Sequence, residues 1–277
     1  MCIRAGNCQL PQAGKALLSY RDEMTVLVTL RAAAACVPGL VRPGNEDAVY
    51  AGWRLLAVAD GMGGHAAGEI ASAAVIESLR ACDVDVPPGQ LLEVLARAVA
   101  TANAEVARRA AEDPGRLGMG TTLTAMLRSA DQAALVHIGD SRAFRLRGGV
   151  LRRLTEDHVM GKLVSNAGEL APVLTRYLDG RPDRSPDLGL RDLRPGDRYL
   201  LCSDGLSPVV SDTAIRKVLA AAADAGTAAR QLVVLAEEAG GPDNISVIVA
   251  DAQEGAAGDV PAEPVMLGSA AAGMLTR

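Results

Sequence analysis

Between Thr121 and Leu154 the chain delivers four short apolar runs almost without pause: TTLTAMLR (121–128), AALVHIG (133–139), AFRLR (143–147) and VLRRL (150–154). Gaps this short leave no room for a crossover helix, so the strands are expected to fold back on one another as antiparallel hairpins. The Gly148-Gly149 pair adds a hairpin signal, because the tightest turns need positive φ at both central residues. The helical stretches come in pairs. AAGEIASAAVIESLRA (66–81) is followed, across a Pro-Pro-Gly break at 87–89, by a longer helix near 89–112, and a second pair is expected near 211–222 and 227–239. Further strands are read at 24–31, 53–59, 198–203 and 244–250, with a polar turn at 41–47, a short helix near 159–168 and a loop from there to 187. Hairpins separated by helix pairs predict an α+β fold, an antiparallel β-sandwich flanked by helix pairs in four layers, α-β-β-α.

One domain is expected over 24–252. Residues 1–23 read as an extension without order, or as sequence preceding a natural start at Met24, where regular apolar patterning begins. Residues 253–277, rich in Ala, Gly and Pro, read as a flexible tail. A hydrophobic share of 49% supplies a core, but with aromatic residues at 2% that core must be built from Ala, Val, Leu and Ile. The net charge of −5 and the absence of Lys/Arg clusters argue against nucleic acid. Five cysteines without C-x-x-C pairing fit reduced thiols in the cytoplasm, and no apolar run is long enough to span a membrane. Cys202 and His137, each inside an apolar run, read as packing residues.

Acidic residues stand at the ends of apolar strands: LLAVADGMGG (55–64), LVHIGDSR (135–142), YLLCSDGL (199–206) and GGPDNISVIVA (240–250). One Asp-Gly marks an ordinary turn; four acidic strand ends point to hard cations, which take carboxylate, carbonyl and water oxygens and, in pairs, activate water against a phosphoester. Asp60 can bridge two cations, and Gly61 leaves its carbonyl approachable as a further ligand. Asp204 and Asp243 either complete the shell or are structural, and Asn244 can simply form an Asx turn. Glu46 and Asp47 can hold waters on the ions. Arg42 either presents a fork to phosphate oxygens or is a solvated surface arginine. Asp140 serves either a third, looser cation or a pairing with Arg142. Thr121 and Thr122 are expected to bond backbone near the site. Neither a G-x-S-x-G nucleophile nor a P-loop is present.

Taken in order, VRPGNEDAVY (41–50), LLAVADGMGGHAAGEIAS (55–72), GMGTTLTAML (118–127), VHIGDSRAFRL (136–146), LTEDHV (154–159), YLLCSDGL (199–206) and GGPDNISVIVAD (240–251) resemble the motif set of the metal-dependent Ser/Thr protein phosphatases of type 2C, bacterial branch. The resemblance implies a dinuclear Mn2+ or Mg2+ centre with Asp60, Gly61, Asp204 and Asp243 as ligands, Glu46 and Asp47 holding waters, Arg42 on phosphate and Asp140 on a third ion. It implies in-line attack by a hydroxide held between the two ions, without a phosphoenzyme. Met62 stands where some members carry a histidine that protonates the leaving group. Two departures stand out. Pro208 replaces an aspartate that helps hold the third ion in many relatives, so that ion is expected to be weak or absent. The flap segment is short, with TRYLDG (175–180) following closely on LTEDHV. The implied function is hydrolysis of phosphoserine and phosphothreonine on proteins in signal transduction, opposing Hanks-type kinases. The alternatives are a low-activity or inactive signalling module that binds phosphoproteins, and a phosphatase directed at anti-sigma-factor antagonists.

Overall fold

The apolar runs do pair as hairpins, and all the pairings are antiparallel among the residues that the computed structural model describes, 27–63, 67–164, 170–255 and 263–272. With strands numbered along the chain, one sheet has the order β1 (Val28–Val37), β14 (Ile245–Glu254), β13 (Arg198–Cys202), β8 (Arg142–Arg147), β9 (Val150–Arg153). The other runs β12 (Asp187–Asp192), β7 (Gln132–Ile138), β6 (Leu123–Ser129), β3 (Leu55–Ala59), β2 (Ala48–Ala51), β15 (Val265–Gly268). Two short ribbons join β4 (Gly61–Met62) to β5 (Gly120–Thr121) and β10 (Val159–Val164) to β11 (Leu170–Leu174). Gly148 and Gly149, at φ +55° and +78°, close the β8–β9 hairpin as their spacing predicts.

Three apolar clusters hold four layers together. The first packs Ile76, Leu79 and Leu91, from helices α1 (Gly68–Leu79) and α2 (Leu91–Ala111), against Leu55, Leu123 and Leu127. The second fills the space between the sheets with Val58, Met126, Tyr199, Leu201 and Ile248. The third sets Ile215 and Leu232, from α3 (Asp212–Ala221) and α4 (Ala225–Glu238), on Phe144, Leu200 and Val247. This is the expected α-β-β-α sandwich. Ser211 and Asp224 cap α3 and α4, accepting from Ala214 N at 3.3 Å and Thr227 N at 2.7 Å.

The structure departs from the sequence reading in several places. Strand β1, expected to stop at Arg31, continues through Ala32–Ala35 to Val37, because pairing with β14 along its whole length overrides alanine's helical preference. Strand β2 occupies Ala48–Ala51, directly after the polar turn at 41–47, where the sequence reading places no strand. The helix expected near 159–168 is replaced by β10, paired with β11; Gly161, at φ +64°, adopts a conformation no α-helix accommodates. The expected loop to 187 thus contains β11, and β12 follows it along the sheet edge.

Residues 265–272, inside the stretch expected to lack a fold, form β15 on β2 and the short helix α5 (Ser269–Ala272) beside α1. The small residues that suggested a featureless tail are what fit there. Ala270 is fully buried in the α1–α2 core, and a Cβ on Gly268, at φ +71°, would lie 2.2 Å from the Asp47 carbonyl oxygen. The expectations for residues 1–23 lie outside the described residues, as does His65. Among the described residues no helix is long and apolar enough to cross a membrane.

Candidate metal centre

Strand ends from both sheets meet at one end of the sandwich. Asp60 follows β3, and its backbone is fixed on both sides: its N–H donates to Thr122 Oγ1 at 3.0 Å, while its carbonyl accepts from Thr122 N and Thr121 Oγ1, each at 2.9 Å. The expected hydroxyl-to-backbone role of the two threonines is therefore seen. Asp140 is carried off β7 by Gly139, whose φ of +115° and contact with Thr122 leave no space for a side chain. Across the sandwich, Ser203 N donates to Ser246 O and Ser246 N to Ser203 Oγ, each at 3.0 Å, so the turn bearing Asp204 is stitched to the strand that follows Asp243. Gly205 makes this possible, since a Cβ there would lie 1.9 Å from the Asn244 carbonyl oxygen.

The carboxylates gathered this way crowd one another. Asp47 is fully buried and neither carboxylate oxygen has a hydrogen-bond partner. The serine hydroxyls nearest it are committed elsewhere, Ser203 Oγ to Asn244 O at 3.3 Å and Ser246 Oγ to Cys36 Sγ at 3.0 Å. Burial pushes the Asp47 carboxyl up to about 7, with Asp204 and Asp243 adding to it and the nearby Ser246 and Ser203 hydroxyls only partly opposing it. Asp140 is likewise pushed up to about 7 by burial and Asp204. Asp60 is raised well above the carboxylate range by burial and then by Asp47, Asp204, Asp140 and Asp243. Asp204, in hydrogen-bonding contact with Asp60, is raised by burial and by Asp243. Glu46 is raised by burial in spite of Arg42.

Arg42 is the cation nearest at hand. Its Nη2 donates to Asp243 Oδ2 at 2.6 Å, and the side chain is 55% exposed. Arg142 does not pair with Asp140, which removes that alternative: its guanidinium forks onto Asp157, Nε at 3.1 Å and Nη2 at 2.7 Å, and Nη1 reaches Ser207 O at 3.4 Å, beside the exposed Pro208. Among the described residues no three His, Cys, Asp or Glu side chains converge on a single coordination point. What is present is an oxygen-rich, under-compensated cluster with a buried orphan carboxylate. Hard divalent cations fit such a cluster, and soft thiolate or imidazole metals do not.

The structure thus brings Asp60, Asp140, Asp204 and Asp243 into one electrostatic neighbourhood with Asp47, and sets Glu46 and Arg42 at its margin. Gly61 is buried against the Glu46 and Gly68 carbonyls, where a Cβ would fall 2.5 and 2.3 Å away. His137 is a packing residue as expected, bonded through its ring to Thr124 Oγ1 at 2.9 Å and Glu156 O at 2.8 Å, and its desolvated imidazole is pushed down to about 4. Cys202 is buried and pushed up to about 12, an inert thiol. Asn244 does more than form an Asx turn. Its Oδ1 accepts from Glu46 N at 2.8 Å while its Nδ2 donates to Gly44 O at 2.8 Å and Pro38 O at 3.1 Å, so one amide ties the loop of Glu46 to the loop of Asp243. An amide adjoining a candidate ligand, able to donate and accept at once, was the available signal.

A model of protein phosphatase 2C matches residues 44–237. The chain belongs to the protein phosphatase 2C family. It is 47% identical over 236 residues to the serine/threonine protein phosphatase PstP of Mycobacterium tuberculosis, an alignment covering 82% of this chain and 46% of PstP. The chain therefore spans about half the length of that relative. With the protein phosphatase PhpP of Streptococcus pneumoniae it shares 33% identity over 234 residues, covering 78% of this chain and 95% of PhpP. The 2C fold is equally plain in three dimensions. A crystal structure of M. tuberculosis PstP superposes with a TM-score of 0.76 at 46% identity, covering 81% of this chain and 99% of that one. A second, of the PstP catalytic domain in complex with two manganese ions, gives 0.74 at 47% identity, covering 82% and 99%.

Proposed function

We propose that this chain is a metal-dependent phosphatase of phosphoserine and phosphothreonine on proteins, acting in the cytoplasm against Hanks-type kinases. Asp47 carries the reading: a fully buried carboxylate with both oxygens unpaired, beside Asp60, Asp204 and Asp243, is a set of residues short of cations. Asp60, the Gly61 carbonyl, Asp204 and Asp243 would hold two Mn2+ or Mg2+ ions, with Glu46 and Asp47 orienting their waters. Bound there, such a pair supplies an activated water and neutralises phosphoryl charge. Arg42, on an exposed side chain at the rim, is free to exchange Asp243 for two phosphate oxygens and so orient the phosphoryl group. The catalytic unit is proposed to extend to residue 272, because β15 and α5 belong to the sandwich.

The test is release of phosphate from a phosphothreonine peptide and from p-nitrophenyl phosphate, with Mn2+ and with EDTA. Mn2+-dependent release from both is expected, and its absence from both would overturn the proposal. One observation favours a weak third ion: Pro208 offers no side-chain oxygen, and Arg142 reaches the adjacent Ser207 carbonyl. A binding module with little turnover is the second reading, and the same assay separates the two.

A further inference from the structure

The backbone through Glu46 and Asp47 is held at four points. Glu46 N donates to Asn244 Oδ1 at 2.8 Å, and Asp47 N to Asn45 Oδ1 at 3.0 Å. The two carbonyls are held from elsewhere. Glu46 O accepts from Ser72 Oγ on α1 at 2.5 Å, and Asp47 O accepts from Ser269 N at 2.8 Å. Ser72 Oγ and Ser269 Oγ are themselves 2.8 Å apart. Each hydroxyl has one proton to give. Ser269 Oγ also lies 3.0 Å from Asp47 O, and Ser72 Oγ 3.2 Å from Glu69 O. Because Ser269 N–H already serves Asp47 O, an arrangement that leaves neither the Glu46 nor the Asp47 carbonyl without a donor runs from the Ser269 hydroxyl to Ser72 Oγ, and from the Ser72 hydroxyl to Glu46 O. Such a chain is polarised along its length, each bond strengthening the next.

The same carbonyl leads into the site, since Glu46 O packs against Gly61 closely enough to exclude a Cβ. On the far side, Gly268 sits on Asp47 O with equal closeness, and Ala270 anchors the segment in the core.

We propose that Ser269, acting through Ser72, is a positioning residue of the metal centre, so that its hydroxyl sets cation affinity by fixing the backbone from which the Glu46 and Asp47 carboxylates project. This rests on reading the acidic cluster as a divalent-cation site. Ser269 touches no ion. It holds the peptide groups whose placement decides where two water-holding carboxylates point, one step further from the ions than the contacts whose loss typically costs about 10–100-fold in metal affinity, so an effect at the low end of that range is expected.

The test is Mn2+ binding by the full chain, read by calorimetry and by the paramagnetic resonance signal of free Mn2+. Ser269→Ala is expected to weaken binding about 10-fold, and Ser269→Thr to restore it by returning the hydroxyl. Ser72→Ala should weaken binding as well, and the double variant by less than the product of the two, because both sit in one chain of bonds. Ser72→Ala carries the same test from α1 if Ser269→Ala folds poorly. Met266→Ala is the control: it loosens the packing of β15 on the core without touching the hydroxyls, and is expected to lower thermal stability while leaving Mn2+ affinity unchanged. Unchanged binding in Ser269→Ala, or equal weakening in Met266→Ala, would overturn this inference alone. A wild-type chain that binds no Mn2+ would overturn the metal-centre reading with it.

Discussion

Asp60 and Arg42 act on the same cluster from opposite directions. Asp60 lies in the field of four other aspartates, so replacing it with a neutral amide relieves repulsion while deleting a proposed oxygen ligand. Asp60→Asn, and Asp204→Asn for the same reason, are therefore expected to fold at least as stably as the parent without metal and to lose Mn2+-dependent turnover by more than about 100-fold, beyond the loss typical of outer contacts. Steady-state assays beside urea titrations measure both halves. Arg42 competes with any cation for Asp243, to which it donates at 2.6 Å. On the proposed reading Arg42→Ala should raise KM with little change in kcat, because the arginine would bind phosphate in ground and transition states alike. The same substitution should tighten Mn2+ binding, an effect that a plain surface arginine would not produce.

At the scale of elements, two glycines that look alike in sequence separate sharply. Gly205 bears a strand-end turn against another backbone, with a Cβ position 1.9 Å from the Asn244 carbonyl oxygen, whereas a Cβ on Gly149, at φ +78°, meets nothing within 4 Å. Gly149→Ala should cost about 1 kcal/mol through backbone conformation alone. Gly205→Ala should cost about 1–3 kcal/mol or more through overpacking, and also weaken Mn2+ binding by displacing Asp204; thermal melts and metal titration of both variants check this. What was legible follows the same division. Strands with a clear apolar run bounded by turns, such as β3, β6, β7 and β13, and helices with long periodic faces, such as α2, could be read within a few residues. Strands whose identity depends on a distant partner could not. The alanines of β1 are strand only because β14 lies beside them, and β15 looks featureless until β2 supplies its edge. In the site, the acidic strand ends announced themselves, while Asn244 and Ser72 did not, because their work is done on backbone groups far away in sequence.

For the molecule as a whole, the acidic cluster makes stability a function of both protons and cations. Asp47 and Asp140, pushed up from 3.8 to about 7, retain protons in the folded chain that the unfolded chain has already released. The folded state binds more protons through that window, so the metal-free protein should lose stability as pH rises from about 4 to 7, with no further loss from these groups above it. On the proposed reading Mn2+ competes for the same oxygens. At a concentration of 100 times its Kd, one bound ion contributes about 2.7 kcal/mol, or roughly 5–10 °C in Tm for a chain of this size. Melts with and without Mn2+ should show a larger rise at pH 7.5 than at pH 5.5, and an equal rise at both would count against the carboxylates as ligands.

The hold on Asp47 also governs when the site comes into being. Its loop is clasped by Asn244 and by Ser269, 198 and 222 residues downstream of their respective partners. A ribosome must therefore release nearly all of the sandwich before those clasps close, and loop closure over such spans makes folding slow. The nascent chain carries its aspartates scattered, without the grip that would let them capture an ion, so the proposed ion loading would belong to the finished protein and not to its synthesis.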